Sequence, residues 1–91
     1  MTMIELRLAE PVKLVVDDHG AVLLDTRGAV MFGLNPSAAM FCSALAAGAD
    51  RETATRAVLE AFDADENAIR ADLEVLVDEL VLHKLAEVEA R

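Results

Sequence analysis

The sequence predicts an α+β fold in which a three-stranded antiparallel sheet is followed by three helices, and three observations carry that prediction. Apolar residues recur in short runs at 12–16, 21–25 and 30–34, about ten residues apart and separated by turn chemistry, which is the pattern of a strand meander. After residue 34 the apolar spacing changes to the three-four rhythm of helices. Each of the three helical stretches is preceded by a residue that caps helices well, Asn35, Asp50 and Asp65.

The first strand alternates Val12, Leu14 and Val16 with Lys13 and Val15, then stops at Asp17-Asp18-His19-Gly20. Gly20 can take the positive φ of a tight turn, and aspartates bond their own backbone there. Thr26-Arg27-Gly28 repeats that punctuation before the third run, Val30 to Leu34. Three strands alone are marginal, so helices must cover one face. Asn35 caps the first helix with Pro36 at its first position, and Gly48 ends it near residue 47. Asp50 opens the second helix, whose inward residues are Ala54, Ala57, Val58, Ala61 and Phe62. Asp65 opens the third, with Ile69, Leu73, Leu76 and Leu80 as a stripe that Val77 and Val81 widen. Its other face shows Arg70, Glu74 and Asp78, including an Arg70–Glu74 pair of the weaker orientation. Residues 82–91 are expected to form a short helical extension or a frayed end without a function of their own.

With 91 residues, the chain fits one domain, 1–91. Its 55% hydrophobic content supplies a core without staples. Seventeen acidic against eight basic residues give a net charge of −9, which repels phosphate and anionic lipid and suits a basic partner. Three phenylalanines and no Tyr or Trp leave no base-stacking platform. The lone Cys42 cannot form an internal disulfide, and a reducing cytoplasm is the expected address. Glu5, Arg7 and Glu10 interrupt any apolar core of a signal peptide, and no apolar run reaches the ~20 residues of a membrane span.

Residues of catalytic type do not gather into a motif. His19 and His83 have no metal-type spacing to cysteine or carboxylate pairs, and Cys42, between Phe41 and Ser43, reads as a small buried hydrophobe. Asp17-Asp18 and Asp63, Asp65 and Glu66 fit turn and cap chemistry, without the glycine and closing Glu of a calcium loop. The four glycines form no phosphate cradle. No cofactor and no enzymatic activity are expected. Met31, Phe32 and Leu34 raise a sharper question, because the third strand of a meander has an open edge that is either packed against helices or a site.

The order strand-strand-strand-helix-helix-helix, with Leu34-Asn35-Pro36-Ser37-Ala38 closing the sheet into the first helix, resembles the pyrroloquinoline quinone biosynthesis D-type (PqqD-like) family. The block 54–62 looks like that family's second helix, and 69–80, with Asp72-Leu73, like its third. Leu80-Val81-Leu82 falls where members end that helix before a glycine, which His83 replaces here. The resemblance spans about residues 12–85. It implies a winged helix-turn-helix-like fold, the RiPP recognition element, most like the free-standing leader-binding proteins of lasso-peptide clusters. It further implies that a precursor leader peptide adds as an antiparallel strand in a groove between the third strand and the third helix. Val30, Met31, Phe32, Gly33 and Leu34 would supply backbone bonds, Ile69, Leu73, Leu76 and Val77 the pocket walls, and Asp72 and Glu79 an acidic rim for basic leader residues. The chemistry would then belong to partners, a cysteine-protease-like leader peptidase and a cyclase.

Two alternatives stay open. One is a peptide chaperone of pyrroloquinoline quinone biosynthesis, delivering its precursor to a radical S-adenosylmethionine enzyme. The other is a winged-helix structural or interaction subunit. DNA binding is disfavoured, since the third helix holds Arg70 against Glu66, Asp72, Glu74, Asp78 and Glu79.

Overall fold

The computed structural model describes residues 4–18 and 20–90, so His19 and Arg91 lie outside the described residues. The elements run in the order β1 (Ile4–Leu8), β2 (Val12–Asp17), β3 (Gly20–Asp25), β4 (Val30–Leu34), α1 (Pro36–Ala46), α2 (Arg51–Ala61), α3 (Glu66–Leu82) and β5 (Ala86–Ala90). The expected meander is β2-β3-β4, antiparallel throughout, and three helices follow it. The expectation for residues 82–91 does not hold. The chain beyond α3 forms β5, which pairs antiparallel with β1 in a separate two-stranded sheet, Leu6 opposite Val88 and Leu8 opposite Ala86. A strand is favoured because Leu85 and Ala86, 3% exposed each, need the interior that Leu6 and Ala9 share with them. Ala9 N–H donates to Leu85 C=O at 2.9 Å and fastens the two ends.

The predicted caps are all present. Asn35 accepts from Ala38 N–H at 2.8 Å, Asp50 from Thr53 N–H at 2.7 Å and Asp65 from Ala68 N–H at 3.0 Å, each satisfying an orphan donor of the first turn. Gly48, φ 100°, ends α1 where only glycine is unstrained. The third helix ends differently from the resemblance. His83 is the C-cap, with φ −89°, and the left-handed residue is Lys84 at φ 61°.

α1 packs against β1, β2, β3 and β4, α2 against α1 and α3, and α3 against α1 and β5. The helices thus cover one face of the meander, and Leu23, Phe41, Cys42, Val58 and Leu80 are fully buried between the layers. The stripe that α3 buries is Ile69, Leu73, Val77 and Leu80; Leu76 is half-buried and Val81 exposed. Arg70 does not pair with Glu74. Its guanidinium donates to Glu66 at 2.9 Å and to Glu52 at 2.9 Å, because the Glu-to-Arg order along a helix is the better one and α2 brings Glu52 within reach.

Candidate functional site

Among the described residues β4 has a neighbour, β3, on one side only, and the register shows which of its main-chain groups face away. Thr26 N–H donates to Pro11 C=O at 3.0 Å, continuing the β2–β3 ladder. Hydrogen-bonding direction alternates along a strand, so Val22 and Leu24 share Thr26's direction toward β2. Ala21, Leu23 and Asp25 point toward β4, where their partners are Leu34, Phe32 and Val30. Met31 and Gly33 therefore turn their N–H and C=O groups to the free side.

Side chains alternate between faces as well. Phe32, opposite the fully buried Leu23, faces the helices, whereas Met31 and Gly33 face the uncovered side of the sheet. On the helix side, the edge of β4, the start of α1 and the middle of α3 enclose a groove of about 380 Å³. Phe32 and Gly33 line it from the strand, Asn35, Ser37 and Ala38 from the cap and first turn of α1, and Asp72, Leu73, Val75, Leu76 and Glu79 from α3. The floor is apolar and the α3 rim is acidic. Among the described residues neither Asp72 nor Glu79 has an ion-pair partner, and Arg70 is held by Glu52 and Glu66.

Six of the residues singled out in the sequence, Phe32, Gly33, Asp72, Leu73, Leu76 and Glu79, come together in this groove. Val30 and Met31 stand on the same strand, exposed and outside the groove lining. Leu34 shares Phe32's face of the strand and packs, partly buried, against the core. Ile69 and Val77 are buried core residues, 8% and 4% exposed, because they sit on the side of α3 that faces the interior. Asn35, Ser37, Ala38 and Val75 are additional lining residues. Val75 carries a sequence signal, an apolar residue on the acidic face between Asp72 and Glu79, left 59% exposed.

The groove's two walls are tied at one end. Arg27, in the β3–β4 turn, donates to Lys84 C=O at 2.8 Å and to the Asp25 carboxylate at 3.0 and 3.1 Å. These bonds hold the Asp25 carboxyl below its ordinary range. The Phe32 and His83 rings lie 6.2 Å apart, centroid to centroid. Cys42 lies outside the groove lining and is fully buried, and desolvation pushes its thiol up to about 11. It is not poised as a nucleophile. Among the described residues no group of three His, Cys, Asp or Glu stands together as metal ligands.

An open strand edge beside an apolar groove is the layout of modules that take up an extended peptide as an extra strand. The chain belongs to the coenzyme PQQ synthesis protein D (PqqD) family, whose sequence profile matches residues 20–86. Among solved structures it is similar to one described as lasso peptide synthetase B1 complexed with the leader peptide. That match has 25% identity and a TM-score of 0.76, covering 91% of this chain and 98% of the other. It is also similar to TbiB1 in complex with the TbiA(beta) leader peptide, with 23% identity and a TM-score of 0.79 over 89% and 94% of the two chains, a likeness of fold. No curated protein matches the chain.

Proposed function

We propose that this protein is a non-catalytic recognition element that binds the leader of a ribosomally made lasso-peptide precursor and presents it to the enzymes that mature it. The observation that carries the reading is the free edge of β4, with Met31 and Gly33 directed outward, alongside the groove walled by α3. The leader adds to β4 as an antiparallel strand on a winged-helix-like frame, its main chain bonding Met31 and Gly33 and its groove-facing side chain resting among Phe32, Leu73 and Leu76. Asp72 and Glu79 meet basic leader residues, and the net charge of −9 speeds their capture. The similar proteins with bound leaders support this reading. Cleavage and ring closure fall to a cysteine-protease-like peptidase and a cyclase in the cytoplasm.

The family match favours one further reading, a peptide chaperone of pyrroloquinoline quinone biosynthesis, with the same physical task and a different precursor. Fluorescence-anisotropy titration separates the two. Labelled leaders of a lasso precursor and of a pyrroloquinoline quinone precursor, each encoded in the genome that encodes this chain, are titrated with the protein, with scrambled peptides as controls. Saturable binding of the lasso leader, lost on scrambling, supports the proposal. Binding of the quinone precursor alone favours the second reading, and binding of neither excludes both.

A further inference from the structure

We infer that the uncovered face of the sheet carries a second leader subsite, centred on Gly33, that accepts one large apolar side chain of the added strand. The inference rests on the strand-addition reading above. Directly opposed residues of antiparallel strands place their side chains on the same face of the sheet. A leader residue opposite Phe32 therefore enters the groove, and its chain neighbour opposite Gly33 stands on the outer face.

On that face, Val15, Val22 and Gly33 form one row across the three strands. The row ends in a gap, and neither the backbone angle nor a close neighbour among the described residues requires it. A Cβ built on Gly33 meets no atom within 4 Å, and unlike Gly20 and Gly48 the residue has no positive φ. Glycine weakens a strand interior and often marks a place where another chain approaches closely. The gap opens into a cleft of about 370 Å³ that Val15 and Val22 line on the outer face, with the polar Asp17 and Asn35 also in its lining. Val22, next to the gap, is only half-buried, so part of its apolar surface stays in water until something covers it. Gly33 also lines the α3 groove, which makes the two subsites contiguous through the edge of β4.

The occupant is set by this geometry. A large side chain opposite Gly33 lies across the bare backbone against Val22, two strand spacings from the added chain, and that valine selects an aliphatic or aromatic group. The recognised leader segment therefore carries two consecutive large apolar residues, one held in the groove and the next over Gly33.

Gly33→Val and Gly33→Ala fill the gap, and neither lowers the thermal midpoint, since the new atoms meet nothing and valine favours strands. The probe is the fluorescein-labelled synthetic leader of the precursor encoded beside this chain, with an alanine scan along its length. Gly33→Val weakens binding by about tenfold or more, as expected for displacing one buried apolar side chain, and Gly33→Ala by less. One leader position, adjacent to the groove residue, weakens binding to the unmodified protein when changed to alanine and erases its advantage over Gly33→Val. If Gly33→Val does lower the midpoint, Val22→Ala, at the wall behind the gap, gives the same reading. Equal affinity of the unmodified protein and the gap-filling variants overturns the subsite and leaves strand addition intact. Failure of the unmodified protein to bind the leader overturns both.

Discussion

α1 and α3 finish with the same pair of hydrogen bonds around different residues. Ala49 N–H reaches Ala44 C=O and Gly48 N–H reaches Leu45 C=O after α1, while Leu85 N–H reaches Leu80 C=O and Lys84 N–H reaches Val81 C=O after α3. Both are Schellman closures, with Gly48 and Lys84 in the left-handed position. For a lysine that conformation costs about 1–2 kcal/mol, and glycine loses about 0.5–1 kcal/mol more chain entropy on folding. Lys84→Gly should therefore raise unfolding free energy in urea by about 0.5–1 kcal/mol. The caps Asn35, Asp50 and Asp65 were legible in the sequence because capping is local chemistry. The strain at Lys84 was not, because nothing in a lysine's neighbours announces a positive φ. Cys42 makes the opposite case, a residue read correctly from its apolar surroundings. With its thiol pushed up to about 11 by burial, iodoacetamide at neutral pH should leave it unlabelled in the folded protein and label it fully in urea.

At the level of elements, β4 and α3 wall the groove, and their alignment decides which residues line it. Main-chain direction along β4 separates two proline substitutions. Met31→Pro removes an outward donor and should abolish leader binding while the circular dichroism of the sheet persists, as edge strands tolerate proline on the free side. Leu34→Pro removes a donor to β3 and should lower the thermal midpoint before binding can be read. Equal stability of the two variants would contradict the assigned register. The bridge between α2 and α3 has a pH signature. The Glu52 carboxyl is held below its ordinary value of 4.5 by the hydrogen bond from Arg70, so the bridge contributes fully above that value and is lost as pH falls through the lower, folded-state one. Urea midpoints should decline on acidification below about pH 4.5. Arg70→Ala should flatten that decline and leave leader affinity at neutral pH nearly unchanged, since Arg70 lies outside the groove lining. The helical stripe was readable from spacing, but whether Leu76 or Val77 faced the groove was not. One helical step of 100° separates a core valine from a groove leucine.

For the whole molecule, the closure of β1 on β5 matters most. It brings residues from both ends of the chain, Leu6 and Leu85, into one core with Leu80 and Phe41. Leu85→Ala should cost about 2–5 kcal/mol of stability, measured by urea unfolding, as for other buried leucines. A change within 0.5 kcal/mol, typical of exposed positions, would mean that β5 is not part of the cooperative unit. The same closure anchors the carbonyl of Lys84 that Arg27 grips, so the terminal sheet and the groove share one support.

The amino-acid sequence was sufficient for the α+β class, the three-strand meander, three capped helices and an acidic surface, because alternation, helical spacing and capping act within a few residues of each other. It was also sufficient to point to β4 and α3 as elements that wall one groove. Tertiary structure decided the β1–β5 pairing, since strand pairing between the two ends of a chain leaves no local trace in either. It decided as well which side of β4 is free and which residues of α3 reach the groove. Those outcomes depend on how separate elements meet, and a periodic pattern specifies a face without specifying what stands across from it.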